Sequence, residues 1–507
     1  MGAIRMEAGC ENTEIAAEDI AGSEDIFQQR VNKVAELKAE GINPFGGRFD
    51  DATKISELRA AFKADDPTPQ PAVLAGRLTG IRNMGGSIFA DLKDSSGKIQ
   101  LFVNKKVLDE QAFKLFKRID IGDIIGVNGE LFVTKMGELT VKVHQFELLS
   151  KSLRPLPEKF HGLTNIEQRY RQRYLDMIMS DENKNVLMQR FQIIREIRRF
   201  MESKGFMEVE TPMIQPIPGG AAAEPFKTYY EALNSQMFMR IAPELYLKKL
   251  LVGGFEKIYE MNRNFRNEGM SRKHNPEFTS MEIYQAYGDC RTMMELIEEL
   301  VTYVAQTVFG KLQFEHASGT INLERPWRRV DYQDLIKETA GSDWFELNFP
   351  ERVKKAKAMG LDVHENMAEF EVTNEIYDKL IEGKLIQPTF VMRLPKEMVP
   401  LAKACPDNPA LVDVYELVVN GQELCPGYSE LNDPIVQRER FMEQFEREKK
   451  DGETVADKID EDFLTALEYG MPPAGGLGIG IDRLAMLLTG AESIRDVILF
   501  PQMKIKR

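Results

Sequence analysis

Residues 257–287 read KIYEMNRNFRNEGMSRKHNPEFTSMEIYQAY, and residues 474–484 read AGGLGIGIDRL. In the first stretch, two runs of β-forming residues flank a polar loop that contains glycine and the basic residues Arg272, Lys273 and His274. This pattern predicts a β-hairpin with a long cationic loop. In the second stretch, alternating glycines in an apolar strand would let a flat ligand or another backbone approach closely. The glycine spacing fits neither a dinucleotide-binding turn nor a phosphate-binding P-loop.

The two stretches carry residues suited to chemistry at a polyphosphate. Arg266 follows the first run of the hairpin, and an arginine supplies planar donors that stay charged beside a phosphate. Phe278, on the second run, could present an aromatic face to a purine. Arg483 follows the glycine-rich strand, where it could reach a phosphate or stack on a base. From the residues alone, a glycine-rich strand is equally typical of close packing.

Composition and charge restrict the class of protein. The chain has 507 residues, 43% hydrophobic and 29% charged, which is typical of a globular protein of about three domains. It has no apolar run long enough to span a membrane, and the acidic N-terminus lacks the apolar core of a secretory signal. The net charge of −14 would not by itself suggest RNA binding. Scattered cysteines without C-x-x-C spacing argue against disulfides and zinc and favour the cytoplasm; they are Cys10, Cys290, Cys405 and Cys425.

The sequence pattern divides the chain into segments. Residues 1–25 predict a disordered acidic tail, and residues 26–70 predict a helical segment that ends near several prolines. Residues 71–150 contain five short β runs, which fit an OB-fold barrel, although a generic β-sandwich fits the same pattern. The remaining segments are a basic connector at residues 151–180 and an α/β region at residues 181–507 with a helical insertion at about residues 325–383.

A long helix is predicted before Gly205, where the sequence changes to G-F-M-E-V-E-T-P at residues 205–212. A helix stop, a short strand and a proline are common, so this stretch alone indicates little. The apolar spacing predicts a buried stripe on the helix formed by Leu187, Phe191, Ile194, Ile197 and Met201.

Taken together, three stretches resemble the ordered motifs of class II aminoacyl-tRNA synthetases. Residues 205–212 are similar to motif 1, F-R-N-E at residues 265–268 to motif 2, and G-L-G-I-G-I-D-R at residues 476–483 to motif 3. Further stretches resemble the lysyl-tRNA synthetase family within that class, namely R-I-A-P-E-L-Y-L-K, H-N-P-E-F-T, S-E-L-N-D-P and I-R-D-V-I-L-F-P. The resemblance covers nearly the whole chain after the acidic tail.

The resemblance implies an α+β fold with two main parts. These are an N-terminal five-stranded OB-fold β-barrel that binds the anticodon, and a C-terminal class II synthetase domain with a mixed, mainly antiparallel sheet flanked by helices. The implied activity is that of a lysine–tRNA ligase, which activates lysine with ATP to lysyl-adenylate and transfers it to the 3′ end of tRNA(Lys). Mg²⁺ is the implied cofactor. The implied partners are ATP, L-lysine, tRNA(Lys) and a second copy of the chain in a homodimer, whereas neither DNA nor a membrane is expected.

The family's motifs also imply roles for single residues at the ATP end of the site. Arg266 and Arg483 are the expected catalytic residues, at the α- and γ-phosphates respectively. Glu268, His274 and Phe278 would complete the ATP site. Glu416 and Glu423 match magnesium-binding carboxylates, although from the residues alone we would expect two solvated strand acids.

For the amino acid, the resemblance implies a second set of residues. Glu244 matches the ligand of the α-amino group, and the other matching positions, besides Arg266 at the carboxylate, are Gly220, Glu282, Tyr284, Tyr428 and Glu430. Two carboxylates that face one pocket are costly unless a cation enters, which favours lysine over a neutral substrate. In the β-domain the anticodon-reading positions are Arg82, Phe89 and Gln100, although the β pattern alone would make Phe89 a barrel core residue.

Two positions depart from the family pattern. Pro426 stands where the family usually has an asparagine that helps hold the substrate carboxylate, and proline cannot donate a hydrogen bond. Glu224 stands where the closing loop usually has arginine or lysine. These departures motivate one alternative, a related ligase for a lysine analogue. A non-catalytic tRNA-binding paralogue is a further alternative, but it would have lost ATP-site residues that this chain retains.

Overall fold

A computed structural model describes residues 11–66, 68–157, 163, 165–448 and 459–505. The chain forms two compact units, residues 1–162 and residues 163–507. The division falls inside the predicted connector at residues 151–180, so the second half of that connector belongs to the larger unit.

The first unit contains two helices ahead of a barrel, and its first helix starts earlier than expected. The elements are α1 (Glu11–Ala39), α2 (Ile55–Ala61), β1 (Gln70–Asn83), β2 (Ser87–Lys93), β3 (Lys98–Asn104), α3 (Glu110–Phe116), β4 (Ile124–Val133) and β5 (Leu139–Ser150). The sequence predicted disorder over residues 1–25 and a helix from Ile26, whereas α1 begins at Glu11. Alanine and glutamate favour a helix in this acidic stretch, and no proline interrupts it. Residues 1–10 of the predicted tail lie outside the described residues.

Within the described residues, five strands close the barrel in the order β1-β2-β3-β5-β4. Helix α3 connects β3 to β4, and β3 pairs in parallel with β5. Strand residues alternate between the barrel core and the outer surface, as in β3, where Ile99, Leu101 and Val103 are buried. Closure of the sheet removes the β-sandwich alternative, and the predicted OB-fold is confirmed.

The larger unit begins with helices that lead into the main sheet. Its first elements are α4 (Ile166–Arg171), α5 (Arg173–Met179), α6 (Asp181–Ser203), β6 (Met207–Glu208), β7 (Ile214–Gln215), β8 (Lys227–Tyr230), β9 (Ser235–Met239), α7 (Glu244–Val252), β10 (Lys257–Phe265), β11 (Glu277–Ala286), α8 (Cys290–Phe309), β12 (Gln313–His316), β13 (Gly319–Asn322) and β14 (Arg328–Asp331). The elements that follow are α9 (Tyr332–Ala340), α10 (Phe349–Ala358), α11 (Glu369–Ile376), β15 (Thr389–Met392), β16 (Ala404–Cys405), β17 (Asn408–Val412), β18 (Val414–Val419), β19 (Gln422–Ser429), α12 (Pro434–Glu448), α13 (Glu461–Glu468), β20 (Ala474–Gly480), α14 (Ile481–Thr489) and α15 (Ile494–Val497).

The main sheet of this unit runs β14-β15-β18-β19-β20-β11-β10-β6 across the described residues. The pairs β14–β15 and β10–β6 are parallel, and the other neighbours are antiparallel. Helices α6, α8 and α14 pack together beside the sheet and share one large apolar core with its strands. The predicted fold class, with a mixed and mainly antiparallel sheet flanked by helices, is confirmed.

The predicted helical insertion lies between the two parallel strands β14 and β15. It contains α9, α10 and α11, and further helical turns at residues 377–384. A parallel pair needs a crossover connection, and this insertion provides it. Its residues form their own apolar cluster around Tyr332 and Trp344.

The buried stripe predicted for α6 is partly wrong. Leu187, Ile197 and Met201 are buried as expected, but Phe191 is 42% exposed and Ile193 is fully buried in its place. The buried face of α6, which packs against α8 and α14, is therefore rotated slightly about the helix axis relative to the predicted face. Among the described residues, we find no helix that is both long and apolar enough to cross a membrane.

Candidate active site

A cavity of about 890 Å³ opens in the larger unit over strands β11, β19 and β20. It brings together the residues that the sequence singled out on separate motifs. Its wall includes every position predicted for ATP, metal or amino acid: Gly220, Glu244, Arg266, Glu268, His274, Phe278, Glu282, Tyr284, Glu416, Glu423, Tyr428, Glu430 and Arg483. The geometry is therefore that of one cleft, although the role of each residue stays a prediction.

The β10–β11 hairpin holds Arg266 against Phe278. Its strands pair in register from Lys257↔Gln285 to Phe265↔Glu277, and Arg266 closes the loop by donating its backbone N–H to the Pro276 carbonyl at 2.9 Å. The guanidinium carbon lies 5.1 Å from the centroid of the Phe278 ring, within the range of a cation–π contact. Burial lowers the pKa of the Arg266 guanidinium, and its buried Nε has no hydrogen-bond partner among the described residues. A buried donor without a partner is suited to an anionic ligand.

The glycine-rich strand β20 delivers Arg483 to the same cleft. Asp482 fixes the start of α14, because its buried carboxylate pairs with Arg190 at 2.6 Å and accepts the backbone N–H of Thr279 at 2.8 Å. Arg483 then donates from Nη1 to the Glu423 carbonyl oxygen at 2.6 Å. Its Nη2 lies 3.5 Å from Nε2 of His274. Burial and the charge of Arg483 lower the pKa of His274, so this part of the cleft is cationic chiefly through its arginines.

Glu416 and Glu423 form a carboxylate pair on the adjacent strands β18 and β19. The pKa of Glu416 rises to about 8, because the carboxyl group is buried and because the charge of Glu423 repels its ionised form. Such a pair is stabilised in its ionised form when a cation is present. Within the described residues, no group of three or more protein ligands has metal-binding geometry. Two carboxylates are a ligand set that Mg²⁺ accepts together with phosphates and water.

The opposite end of the cavity is acidic and lined by tyrosines. Glu282 accepts a hydrogen bond from the Tyr284 hydroxyl at 3.0 Å, and Glu244 accepts one from the Tyr428 hydroxyl at 2.5 Å. Burial, reinforced by the charge of Glu244, raises the pKa of Glu282 to about 8. Burial also raises the pKa of Glu430 to about 8. A cationic ligand would lower both values, so this end is suited to ammonium groups.

Two glycines are required by the close packing of this pocket. A Cβ on Gly476 would meet Oε1 of Glu430 at 2.0 Å and the Tyr284 ring at 2.7 Å. Gly220 has a φ of +85°, and a Cβ there would meet the Glu244 side chain at 2.9 Å. Gly476 is therefore needed for the close packing of the acidic pocket as well as for the packing of β20.

Comparison with known proteins decides the family. Residues 165–504 match the family described as tRNA synthetases class II (D, K and N), and residues 72–149 match the OB-fold nucleic acid binding domain. A lysine–tRNA ligase from Carboxydothermus hydrogenoformans is 50% identical over 481 residues, which cover 95% of this chain and 98% of that relative. The chain belongs to the class II lysyl-tRNA synthetase family.

Other lysyl-tRNA synthetases are similar along nearly their whole length. The lysine–tRNA ligase of Pelotomaculum thermopropionicum is 50% identical over 483 residues, 95% of each chain. That of Halalkalibacterium halodurans is 48% identical over 492 residues, 96% of this chain and 98% of the relative. The resemblance noted from the three motifs is thereby confirmed.

The barrel of this synthetase carries its own candidate site on the outer surface. Ile88 and Ala90 fill the barrel core, whereas Phe89 between them lies half-buried on the other face of β2. Its ring centroid is 5.1 Å from that of Phe102, which is 6.0 Å from that of Phe132. The alternative that Phe89 is a core residue is therefore wrong, and the barrel presents a row of aromatic rings.

The other two predicted anticodon positions lie on the strands that flank Phe89. Arg82 is directly opposite Phe89 in the β1–β2 pairing, and its exposed guanidinium lies 3.8 Å from Asp91. Gln100, on β3, accepts a hydrogen bond from the Thr140 hydroxyl at 3.0 Å. Aromatic rings with flanking polar groups are typical of surfaces that read single-stranded bases.

The sequence did not reveal every residue of the acidic pocket. Lys248 is fully buried behind it, with Nζ 2.8 Å from Glu244 and 2.5 Å from Glu430. The signal that could have indicated Lys248 is its position one helical turn after Glu244.

Both departures from the family pattern, Pro426 and Glu224, lie in the cavity wall, and Pro426 is opposite Glu416 in the β18–β19 pairing.

Proposed function

We propose that this synthetase activates lysine with ATP and transfers it to tRNA(Lys). The observation that carries the proposal is one cleft that holds both a pair of arginines and a cluster of buried carboxylates. The arginines are Arg266 and Arg483, and the carboxylates are those of Glu244, Glu282 and Glu430. A substrate with two ammonium groups and a carboxylate suits the carboxylate cluster, with its own carboxylate directed at Arg266.

The activation step needs no nucleophile from the protein. The lysine carboxylate attacks the α-phosphorus of ATP, a new P–O bond forms, and the bond to the β-phosphate breaks as pyrophosphate leaves. Arg266 stabilises the charge that develops at the α-phosphate, and Arg483 does so at the γ-phosphate, with Phe278 against the adenine. Fixed cations in a water-poor cleft are efficient because they need no reorganisation during the reaction.

The carboxylate pair would complete the ATP site. Glu416 and Glu423 would hold Mg²⁺, which would neutralise phosphate charge when bound. The proposal is supported by the pair's position in the cavity wall and by the raised pKa of Glu416.

The transfer step joins the activated lysine to tRNA. A ribose hydroxyl at the 3′ end of tRNA attacks the carbonyl carbon of lysyl-adenylate, loses its proton, and displaces AMP. Recognition of the anticodon is proposed for Arg82, Phe89 and Gln100 on the barrel. The half-buried aromatic row on the outer face of the barrel and the polar groups beside it support this role.

Charging of tRNA tests the function directly. The purified chain is incubated with Mg²⁺–ATP, radiolabelled lysine and a tRNA(Lys) transcript, and acid-precipitable label is counted. We expect label to accumulate on this tRNA and not on a transcript with an altered anticodon. Failure to charge any tRNA, while ATP and lysine are consumed to form adenylate, would contradict the second half of the proposal.

We also propose a homodimer. Apolar side chains are exposed on motif 1, on the strand directly after it and on the helix before it: Met188, Phe191, Met207 and Ile214. Apolar surface of this kind is typical of a contact between copies.

Cys290, Cys405 and Cys425 are buried free thiols, which supports the reducing cytoplasm as the compartment.

Pro426 favours a second candidate, a ligase for a lysine analogue. Its ring lies in the cavity wall, and it offers no N–H to the substrate carboxylate. The acidic pocket is compatible with other diamino acids, such as ornithine or β-lysine. Comparison of these amino acids in one activation assay decides between the candidates.

A further inference from the structure

Lys248 is a buried cation behind the acidic pocket. It lies on α7 and is fully buried, and it is not part of the cavity wall. Its ammonium lies 2.8 Å from Oε1 of Glu244 and 2.5 Å from Oε2 of Glu430. It also lies 5.5 Å from the centroid of the Tyr428 ring. One side chain therefore contacts three residues that line the cavity, without lining the cavity itself.

The charges around the pocket do not cancel. Carboxylates reach it from α7 (Glu244), from β11 (Glu282) and from the residue directly after β19 (Glu430). Among the described residues, Lys248 is the cation that forms ion pairs in this group, with Glu244 and Glu430. The nearby Arg240 is engaged with Glu260 at 2.6 Å. Three carboxylates against one ammonium leave an excess of two negative charges when all are ionised.

Burial alone would lower the pKa of the Lys248 ammonium. The charges of Glu244 and Glu430 outweigh that effect, and the pKa is raised. The lysine therefore stays charged in the empty protein, and its ammonium contacts both carboxylates and holds them in place.

We propose that Lys248 is a positioning residue that sets the charge of the amino acid pocket. Its positive charge offsets the negative charge of one of the three carboxylates. The two negative charges that remain when all three are ionised match the two ammonium groups of a diamino acid. Lys248 also holds Glu244 and Glu430 at the separation that those groups require. This inference rests on the proposed function, because it assigns how the same pocket selects its substrate.

Removal of Lys248 should damage lysine binding and spare ATP binding. Without the cation, the pKa of Glu430 would rise further and both carboxylates would lose the group that holds them, so a substrate ammonium would lose a charged partner. We expect Lys248→Ala to raise the KM for lysine roughly ten- to a hundredfold, the usual effect of losing a charged hydrogen-bond partner. The KM for ATP should stay in the wild-type range, because Arg266 and Arg483 are unchanged.

Chemical rescue separates charge from packing. Propylammonium replaces the atoms that Lys248→Ala removes, so it should lower the KM for lysine of this variant, whereas the neutral 1-propanol should not. The wild type in propylammonium shows any competition of the amine with substrate. An unchanged KM for lysine, or equal rescue by 1-propanol, would overturn the proposal.

Folding of the variants is tested separately. If Lys248→Ala is not folded, Lys248→Met is compared with the double variant Lys248→Met/Glu430→Gln by thermal unfolding. The double variant removes one carboxylate together with the cation, so it should melt at a higher temperature than the single variant. If both variants fail to fold, or melt alike, Lys248 has a packing role and the proposal is wrong.

Measurement of the wild type keeps this test distinct from that of the function. Exchange of label between ATP and pyrophosphate is first measured with and without lysine in the wild type. No lysine-dependent exchange there would contradict the proposed function itself. With an active wild type, the Lys248 variants test only the role of Lys248. Lys337→Met, which alters an exposed helical lysine 3.8 Å from Asp334, is the matched control and should leave both KM values unchanged.

Discussion

The Arg266 guanidinium lies 5.1 Å from the centroid of the Phe278 ring, and both residues lie at the loop end of one hairpin, Arg266 directly after β10 and Phe278 in β11. The group proposed to meet the α-phosphate and the ring proposed to meet the adenine are therefore held as one unit. The hairpin register fixes their separation before any nucleotide binds. This pre-formed arrangement shows how positioning alone, without a covalent intermediate on the protein, could lower the barrier to adenylate formation.

Arg266→Ala should depress adenylate formation strongly. Loss of one fixed donor at a developing charge typically costs about 10²- to 10³-fold in kcat. We expect a decrease of this size in ATP–pyrophosphate exchange, while tRNA binding measured by filter retention persists, because the barrel is unaltered. The matched control is Arg263→Ala on the same hairpin, where the arginine pairs loosely with Glu277 outside the cavity. Equal loss of exchange and tRNA binding in Arg266→Ala would indicate misfolding instead.

Lysine binding should release a proton near neutral pH. The pKa of Glu282 in the empty pocket is about 8, because the group is buried and faces Glu244, so the carboxyl group is largely protonated at pH 6 to 7. A substrate ammonium favours the ionised form, and the KM for lysine should therefore fall as pH rises toward 8, by up to about tenfold per pH unit. Calorimetry of lysine binding at pH 7 in buffers of different ionisation enthalpy measures the proton released.

The raised pKa of Glu282 also predicts how the stability of the protein depends on pH. The folded pKa lies above the unfolded value of about 4.3, so the contribution of this carboxyl group to stability is present at low pH and lost as pH rises through about 8. Glu282→Gln should raise the melting temperature of the empty protein more at pH 9 than at pH 6. Glu277→Gln, on the same strand but outside the cavity, is the control. A melting difference that does not change with pH would contradict the raised pKa.

Phe89→Ala should separate the two half-reactions. Stacking of one base on an aromatic ring contributes about 1–3 kcal/mol, so kcat/KM for tRNA charging should fall about 5- to 150-fold. Amino acid activation should be unchanged, because exchange does not involve tRNA. Phe45→Ala, which alters an exposed ring of the same unit away from β2, is the control. Unchanged charging by Phe89→Ala would refute its role in reading the anticodon.

Phe191→Glu should weaken the proposed homodimer. The ring is exposed on α6 near the exposed Met188, and a carboxylate in an apolar contact would lose its hydration. Light scattering coupled to gel filtration should report the mass of two chains for the wild type and a shift toward one chain for the variant. Met136→Glu, in an exposed barrel loop, should behave as the wild type. A wild type that elutes as a single chain would exclude the dimer.

Much of this arrangement could be predicted because the decisive patterns are local. Alternation of apolar residues in β3 follows from the geometry of a strand, and it predicted the barrel strands before their closure was visible. The residues of motifs 2 and 3 indicated the cleft because phosphate chemistry restricts the side chains that serve it. The choice between barrel and sandwich was not local, since it depends on the pairing of β3 with β5.

Other features depend on contacts between residues that are far apart in the sequence. Phe191 has the spacing of a core residue, yet the direction in which α8 and α14 meet α6 leaves it exposed. Lys248 is charged and would ordinarily be assigned to the surface. Its burial depends on Glu430, which is distant in the chain and meets it only because the end of β19 and helix α7 lie at the same pocket.

The most direct test of the account is ATP–pyrophosphate exchange by the wild-type protein across a set of amino acids. Lysine, ornithine, β-lysine and the neutral norleucine are compared at saturating Mg²⁺–ATP. We predict exchange that depends on lysine, with the highest kcat/KM for lysine and none detectable for norleucine. Exchange that is equally fast with norleucine, or a strong preference for another diamino acid, would contradict the assignment of lysine to the acidic pocket.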